Sequence, residues 1–460
     1  MVQIHSSAPY LTLKAEVKAK IEFPALPEVP PGIYSIIQRD MSEYAKVLRN
    51  RNFFLLWLGQ IVSQLGDRLD QMALLGLIYL KAPGSPMQIA KIMSFTILPV
   101  FVVGPLAGVY VDRWDKRRTM YVCDFLRAAI VLTIPLFFFH NSNLLPLYAV
   151  IFVIFGIGRF FVPAKMAILP ELVEKKQLLM ANTLANMTGM IAAVAGFGVS
   201  GLLVEWIGPK SGFFLDSLSF AFSAGLIFFI YTGARGRMRE HAVSHPVREM
   251  EEIFKKTVLQ ELKESWQYVL KNKHIRFTVG LIFSLSAALG ALYVVMIVFV
   301  QKTLHSATKD LGLLIVFLGA GLFLGSVVYG RFGSRISHYR MIFISLASAG
   351  IVLIIFAFTL QRYPFFNVAA SLALLLGLSI SPIMIASNTI IHKVSDSQMR
   401  GKVFSAVEII MHAGFLIFML LSSKIAERLP EVFIISVIGC VFALTGLANI
   451  FYKRMAAWLN

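Results

Sequence analysis

Ionisable and amide side chains set inside long apolar runs are the residues of this chain that can do chemistry. The densest set lies in the run 53–80: Gln60, Ser63, Gln64, Asp67, Arg68, Asp70 and Gln71. Gln60, Gln64, Asp67 and Gln71 recur at helical spacing and so fall on one face. Such a stripe can wall a wet cavity, with Asp67 as a protonatable site or cation anchor and Asp70 close by. A second reading stands beside it, in which Asp67, Arg68 and Asp70 form an internal salt-bridge cluster that holds the helix to its neighbours. Further along, Glu408 and His412 share a helix face. A carboxylate and an imidazole so placed can carry a proton, and the same pair can simply satisfy a buried histidine. Asp124 and Arg127, one turn apart, suit a local ion pair. An ionisable group in a membrane helix costs about 2.5–3.5 kcal/mol on insertion scales, so these groups are expected to face water or one another.

The elements that must position them are membrane spans. The chain is 57% hydrophobic and 15% charged, whereas about a quarter of the residues of a soluble domain are charged. Apolar runs of spanning length lie near 53–80, 87–111, 119–140, 144–165, 180–206, 211–232, 274–301, 310–333, 341–361, 364–390, 402–423 and 431–452. The fold expected is an all-α membrane protein of twelve transmembrane helices in two pseudo-symmetric six-helix bundles. Residues 1–48 read as a cytoplasmic extension, either a disordered tail or a stretch preceding a start at Met41. Residues 49–232 and 274–460 read as the two bundles. Residues 233–273 read as the cytoplasmic linker, in which Leu259, Leu262, Trp266 and Val269 recur at helical spacing and mark an amphipathic helix.

The net charge of +18 does not indicate nucleic acid, because the basic residues sit in short loops between spans. Lys and Arg are more numerous in the loops on one side, which places both termini in the cytoplasm. Cys123 and Cys440 fall inside spans and imply neither a disulfide nor a metal site. Gly104-x-x-x-Gly108 leads straight into Asp112, Arg113, Trp114, Asp115, Lys116, Arg117 and Arg118. In the second half Gly321-x-x-x-Gly325 is followed by Arg331 and Arg335. Paired glycines let helix backbones approach closely in lipid, and the repetition points to duplication. Gly196, Gly198 and Gly201 suggest close packing against the other half. Gly377, Ser379, Ser381 and Pro382 suggest a helix break.

Over residues 50–455 the chain resembles the major facilitator superfamily. GVYVDRWDKRR is similar to the signature of the loop between helices two and three of that superfamily. The resemblance implies that Gly108, Asp112, Arg113, Lys116, Arg117 and Arg118 form a cytoplasmic gate, in which Asp112 and Arg113 latch onto the start of helix eleven, after Asp396. Asp124 and Arg127 are expected beside it. The usual glycine before the basic cluster is Asp115 here. LPELVEKKQLLMANTL, GFGVSGLLVEWIG, FLDSLSFAFSA and SQMRGKVFS resemble the macrolide-efflux and enterobactin-exporter branch of the drug:proton antiporters. PAKMAILPELV and Gly66-Asp67 resemble lysophospholipid transporters. The mid-helix-four arginine of many antiporters would fall near Phe152, and the nearest arginine is Arg159, so that arginine's role in proton coupling does not carry over.

These residues lead to a secondary transporter working by alternating access. The cargo expected is a small amphiphilic compound (a drug, a macrolide-like molecule or a siderophore) exported against inward protons; the alternative is a lysophospholipid flippase. Asp67, Asp70, Glu408 and His412 are assigned to proton coupling, and Gln60, Ser63, Gln64, Arg68 and Gln71 to the cargo cavity. Metalloprotease, nucleophile-elbow, paired-cysteine and P-loop motifs do not occur, so neither an enzyme nor a cofactor is expected. The protein is expected in the inner membrane of a bacterium, in contact with lipid and acting as a monomer.

Overall fold

In a computed structural model the described residues are 44–139, 143–231, 267, 271, 273–333, 336–394 and 400–451. The proposed linker helix and Asp396 lie outside them. The main helices follow in chain order, with a π-helical turn Ile134–Phe138 continuing α4: α1 Arg51–Lys81, α2 Pro86–Val102, α3 Gly104–Arg113, α4 Lys116–Thr133, α5 Leu145–Leu172, α6 Leu178–Phe228, α7 Lys273–Leu304, α8 Lys309–Phe332, α9 His338–Arg362, α10 Phe366–Val394, α11 Arg400–Ala426 and α12 Glu431–Phe451. Nine described helices are long and apolar enough to cross a membrane, and the bent pair α2–α3 makes ten. Two more segments have membrane length without meeting that test separately. α1 spans 31 residues but carries Asp67, Arg68 and Asp70. α6 runs for 51 residues and breaks at Gly208, whose φ of 81° is left-handed and is followed by Pro209.

Contacts along α1 give the direction of the two arms of α6. Trp57 Nε1 donates to Thr188 Oγ1, Gly189 lies against Gln64, Gly196 against Arg68, and Gly76 against Val204. The arm 178–207 therefore runs parallel to α1. Gly59 meets Ser223, Gly66 meets Ser219, and Gly76 meets Pro209. The arm 209–228 thus runs the other way, and α6 crosses twice.

Local chemistry fixes the ends. Asn50 Oδ1 accepts from Asn52 N and Phe53 N, capping α1, while its Nδ2 donates to Leu172 O at the end of α5. Asn52 exchanges two hydrogen bonds with the backbone of Tyr231. Asp115 has extended φ/ψ and accepts from Arg118 N, so it is the N-cap of α4; this explains an aspartate where related loops have glycine. α2 and α3 meet at a 46° bend, where Pro105 has no amide hydrogen to continue the helix.

The two glycine pairs behave differently. A Cβ on Gly321 would lie 2.0 Å from Leu374 O, and one on Gly325 2.7 Å from Leu378 O, so α8 and α10 touch backbone to backbone. Pro382 leaves Leu378 O without its intrahelical donor, and Gly325 lets α8 close over that carbonyl. α10 passes through Pro382 as one helix, so the expected break does not occur. Ser326 and Ser381 hydroxyls add a 2.8 Å bond across the seam. In the first pair, Gly108 has nothing within 4 Å of its Cβ position and Gly104 only Pro99 O at 4.0 Å. The close approach expected there is absent.

Candidate functional site: a buried ion network beside an apolar chamber

The first part of the site is an ion network inside the N-terminal half. Arg127 Nη2 donates to Asp67 Oδ1, a direct contact between α4 and α1. Asp124 Oδ1 lies 3.9 Å from Arg127 Nη1, and Asp124 Oδ2 accepts from Ser223 Oγ at 2.6 Å. The guanidinium carbon sits 3.8 Å from the centre of the Phe220 ring, and Gly158 leaves room for it against α5. One arginine thus joins α1, α4, α5 and the second arm of α6.

Asp216 belongs to the same network and was not among the expected residues. Its Oδ1 packs against Gly66, one turn from Asp70 on α1, and Ser219 Oγ donates to its carbonyl. Asp70 and Asp216 are both buried, and Asp70 Oδ1 and Asp216 Oδ2 have no hydrogen-bond partner among the described residues. The available signal was a lone carboxylate in the apolar run 211–232, an intramembrane acid with nothing near it in sequence to pair with.

These contacts correct four expectations. Arg68 does not bridge Asp67 and Asp70: it donates to Gln71 Oε1 at 3.2 Å and lies 4.8 Å from the Phe197 ring centre. Asp124 and Arg127 are not beside the basic loop. Arg127 is buried about 17 Å along α4 at 1.5 Å per residue, and its close partner is Asp67 rather than Asp124. His412 Nδ1 contacts the backbone oxygen of Glu408 at 2.8 Å, not its carboxylate. The polar stripe is not one continuous cavity wall either. Gln60 and Ser63 are buried, Gln64 lies against Gly189, and only Gln71 of that set lines the chamber described next.

That chamber is the second part. It has a volume of about 380 Å³ and is walled by Gln71, Met72 and Leu75 of α1, Phe197 of α6 and apolar side chains from α7–α12; Gln71 and Tyr293 supply its polar groups. A smaller cavity of about 280 Å³ shares Leu289, Ala349, Ile380 and Phe442 with it and adds Ser286, Ser387, Asn388 and Glu408. Ser387, Asn388 and Glu408 lie toward the end of the molecule that holds the basic loop.

At the opposite end the halves are tied together. Glu205 of α6 accepts the backbone N–H groups of Ala307, Thr308 and Lys309 at 3.4, 2.8 and 3.2 Å, and the Thr308 hydroxyl at 3.1 Å. Thr308 has no capping bond from its own side chain, so a carboxylate from one half caps a helix of the other. Thr308 Oγ1 also bonds Gly201 O at 3.0 Å. Gly198 and Gly201 bring α6 against Val316 and Gly312 of α8, the close packing expected of those glycines. Around the basic loop, Lys116 donates to Asp112 O and Trp114 O, and Arg117 to Phe228 O. Trp114 stacks on Phe160. These partners all belong to the N-terminal half.

The comparisons with known proteins agree with this architecture. The family model described as transmembrane secretion effector matches residues 41–453. The chain belongs to the major facilitator superfamily. Macrolide efflux protein A of Streptococcus pyogenes is 26% identical over 382 residues, covering 82% of this chain and 90% of that protein. An uncharacterised MFS-type transporter of Bacillus subtilis, YkuC, is 25% identical over 363 residues, covering 78% and 81%. Among solved structures, the nucleoside transporter NupG superposes with a TM-score of 0.69 at 12% identity, covering 87% of this chain and 99% of its own; at that identity the likeness is one of fold. The chain is thus a multi-pass membrane protein of a transporter family.

Proposed function

We propose that this member of the superfamily is a secondary exporter of amphiphilic organic compounds that works by alternating access as a monomer, with the basic-loop face in the cytoplasm. The observation that carries the reading is the chamber. It is apolar over nearly all its wall, it is bounded by residues of both halves, which Glu205 ties at one end, and its polar extension leads toward the other end. Molecules with a large apolar body and a few polar groups match such a wall. The likeness to macrolide efflux protein A supports a cargo of that kind.

Proton use is part of the proposal. Asp67, Asp70, Asp124 and Asp216 gather around the Arg127 guanidinium, and Arg159 and Lys165 lie within electrostatic reach of Asp67. Asp67, 30% exposed where Arg127 is 8%, joins α1 to α4 and is the carboxylate assigned to proton exchange in this proposal. Glu408 and His412 contribute from the mouth of the second cavity. The basic loop, with Asp112 and Arg113, governs switching at the cytoplasmic face.

Transport in proteoliposomes, with a panel of macrolides, siderophores and lysophospholipids and with or without an imposed pH gradient, tests this. Accumulation of a macrolide-like amphiphile that requires the gradient is the expected result. Equal accumulation without a gradient refutes proton coupling, and movement of lysophospholipid alone refutes the cargo class.

A further inference from the structure

A third cavity, of about 420 Å³, lies on the outside of the C-terminal half between α7, α9, α11 and α12. Phe418, Val437 and Val441 on its wall are 39%, 45% and 55% exposed, so on a membrane-spanning bundle it opens to lipid. Its wall is apolar apart from Ser284 and Thr445, and the Ser284 hydroxyl is spent on Gly280 O. Phe442 lines this groove, the chamber and the second cavity alike, and Leu285 lines the groove and the second cavity. One aromatic side chain therefore stands where all three spaces meet. The backbone on one side of it is closely packed. α12 is seamed to α9 through Gly350, Gly439 and Gly446, where an added Cβ would meet backbone atoms at 2.4 to 2.9 Å. With α9 and α12 in backbone contact, the Phe442 side chain is the group placed to open or close the junction.

We propose that the groove is a side entrance, through which the apolar limb of an amphiphile dissolved in the bilayer reaches the chamber, with Phe442 as its gate. The proposal rests on the reading of the protein as an amphiphile exporter. Approach through water would expose the limb at about 25 cal/mol per Å², whereas the groove keeps it in apolar surroundings from bilayer to chamber. The polar head of the same molecule is met by Ser286, Ser387, Asn388 and Glu408 in the adjoining cavity.

Two arms test this in proteoliposomes. Ala288 lines the groove and neither of the other spaces, so Ala288→Trp plugs the entrance alone; it is expected to slow erythromycin transport about tenfold, which corresponds to about 1.4 kcal/mol of added barrier. In the second arm a photoreactive benzophenone amino acid replaces Ala288, and tritiated dodecylamine is added to phospholipid vesicles. Labelling of the protein by dodecylamine, competed by erythromycin, is expected. Wild-type transport of erythromycin together with an unimpaired Ala288→Trp variant overturns the side entrance and leaves the exporter reading intact. Cross-links to host phospholipid alone, without competition, show a resident-lipid groove and overturn it too. No erythromycin transport by the wild-type protein removes the parent reading, and the entrance with it. Should Ala288→Trp fail to insert, the labelling arm decides.

Discussion

Removal of the Glu205 carboxylate should loosen one end of the molecule by an amount that can be worked out. Glu205→Ala deletes the acceptor of three backbone N–H groups and one hydroxyl that join α6 to the start of α8. Loss of an N-cap costs about 0.5–2 kcal/mol. Glu205 is exposed, so water replaces it on the freed N–H groups and the loss falls near the middle of that range, about 1 kcal/mol. The tie joins the two halves, so its loss acts on the equilibrium between closed and open forms of that face. About 1 kcal/mol is roughly a fivefold shift toward the open form. Nitroxides at Lys210→Cys and Arg362→Cys, both exposed, report the separation of the halves by pulsed dipolar spectroscopy, with the exposed Cys440 changed to alanine. The longer-distance population should grow about fivefold in Glu205→Ala. Thr308→Val removes bonds to both Gly201 and Glu205, so the two changes together should fall short of their sum. Identical distance distributions in Glu205→Ala and the parent protein would refute the idea that this cap ties the halves.

Asp67→Asn should abolish cargo movement while membrane insertion is unchanged; normal transport would remove the Asp67–Arg127 contact from the mechanism. Asp112→Asn or Arg113→Ala should slow switching, seen as a lower turnover rate, with cargo affinity nearly unchanged, and a collapse of affinity at normal turnover would count against a gate at this loop. Gly321→Ala should lower stability by about 1–3 kcal/mol through overpacking of the α8–α10 seam, read as an earlier thermal transition, whereas Gly108→Ala should leave the transition where it is. Arg68→Ala should leave the Asp67–Arg127 contact in place yet weaken the dependence of transport on a pH gradient, measured as the ratio of rates with and without it; an unchanged ratio counts against Arg68 as a link.

The spans were legible because bilayer thickness imposes a run length that composition displays directly. The helix ends were less so. The turn at Gly208-Pro209 shows in the sequence as a glycine and a proline between apolar runs, while the bend at Gly104-Pro105 sits inside one uninterrupted run. Among the site residues, helical spacing brought Asp67 and Gln71 to notice without stating what each would face. Arg127 meets Asp67 across 60 positions, and no local rule pairs them. For Glu408 and His412, spacing permits two bonds, imidazole to carboxylate or imidazole to the carbonyl one turn back, and the chain takes the second. Glu205 reads in sequence as an ordinary charge at the end of an apolar run; its role depends on where the other half places the first turn of α8. Both glycine pairs carry the same pattern, yet only Gly321 and Gly325 have a partner backbone, which is a property of α10 and not of the pair.

The structure separates the Arg127 network from the apolar chamber. The buried charges that meet Arg127 lie in the N-terminal half, and the chamber is walled mostly by the C-terminal half. α1 and α6 each serve both, and α1 does so within one turn. Asp67 holds Arg127, and Gln71, one turn later on the same helix, lines the chamber. Between them Arg68 grips Gln71 and covers Phe197, which also lines it. A helical turn is too stiff to let Asp67 move without Gln71, since its backbone bonds fix the rise between them. A change in the Asp67–Arg127 contact that shifts the backbone of α1 would reach the chamber wall along one turn of helix and the Arg68 guanidinium.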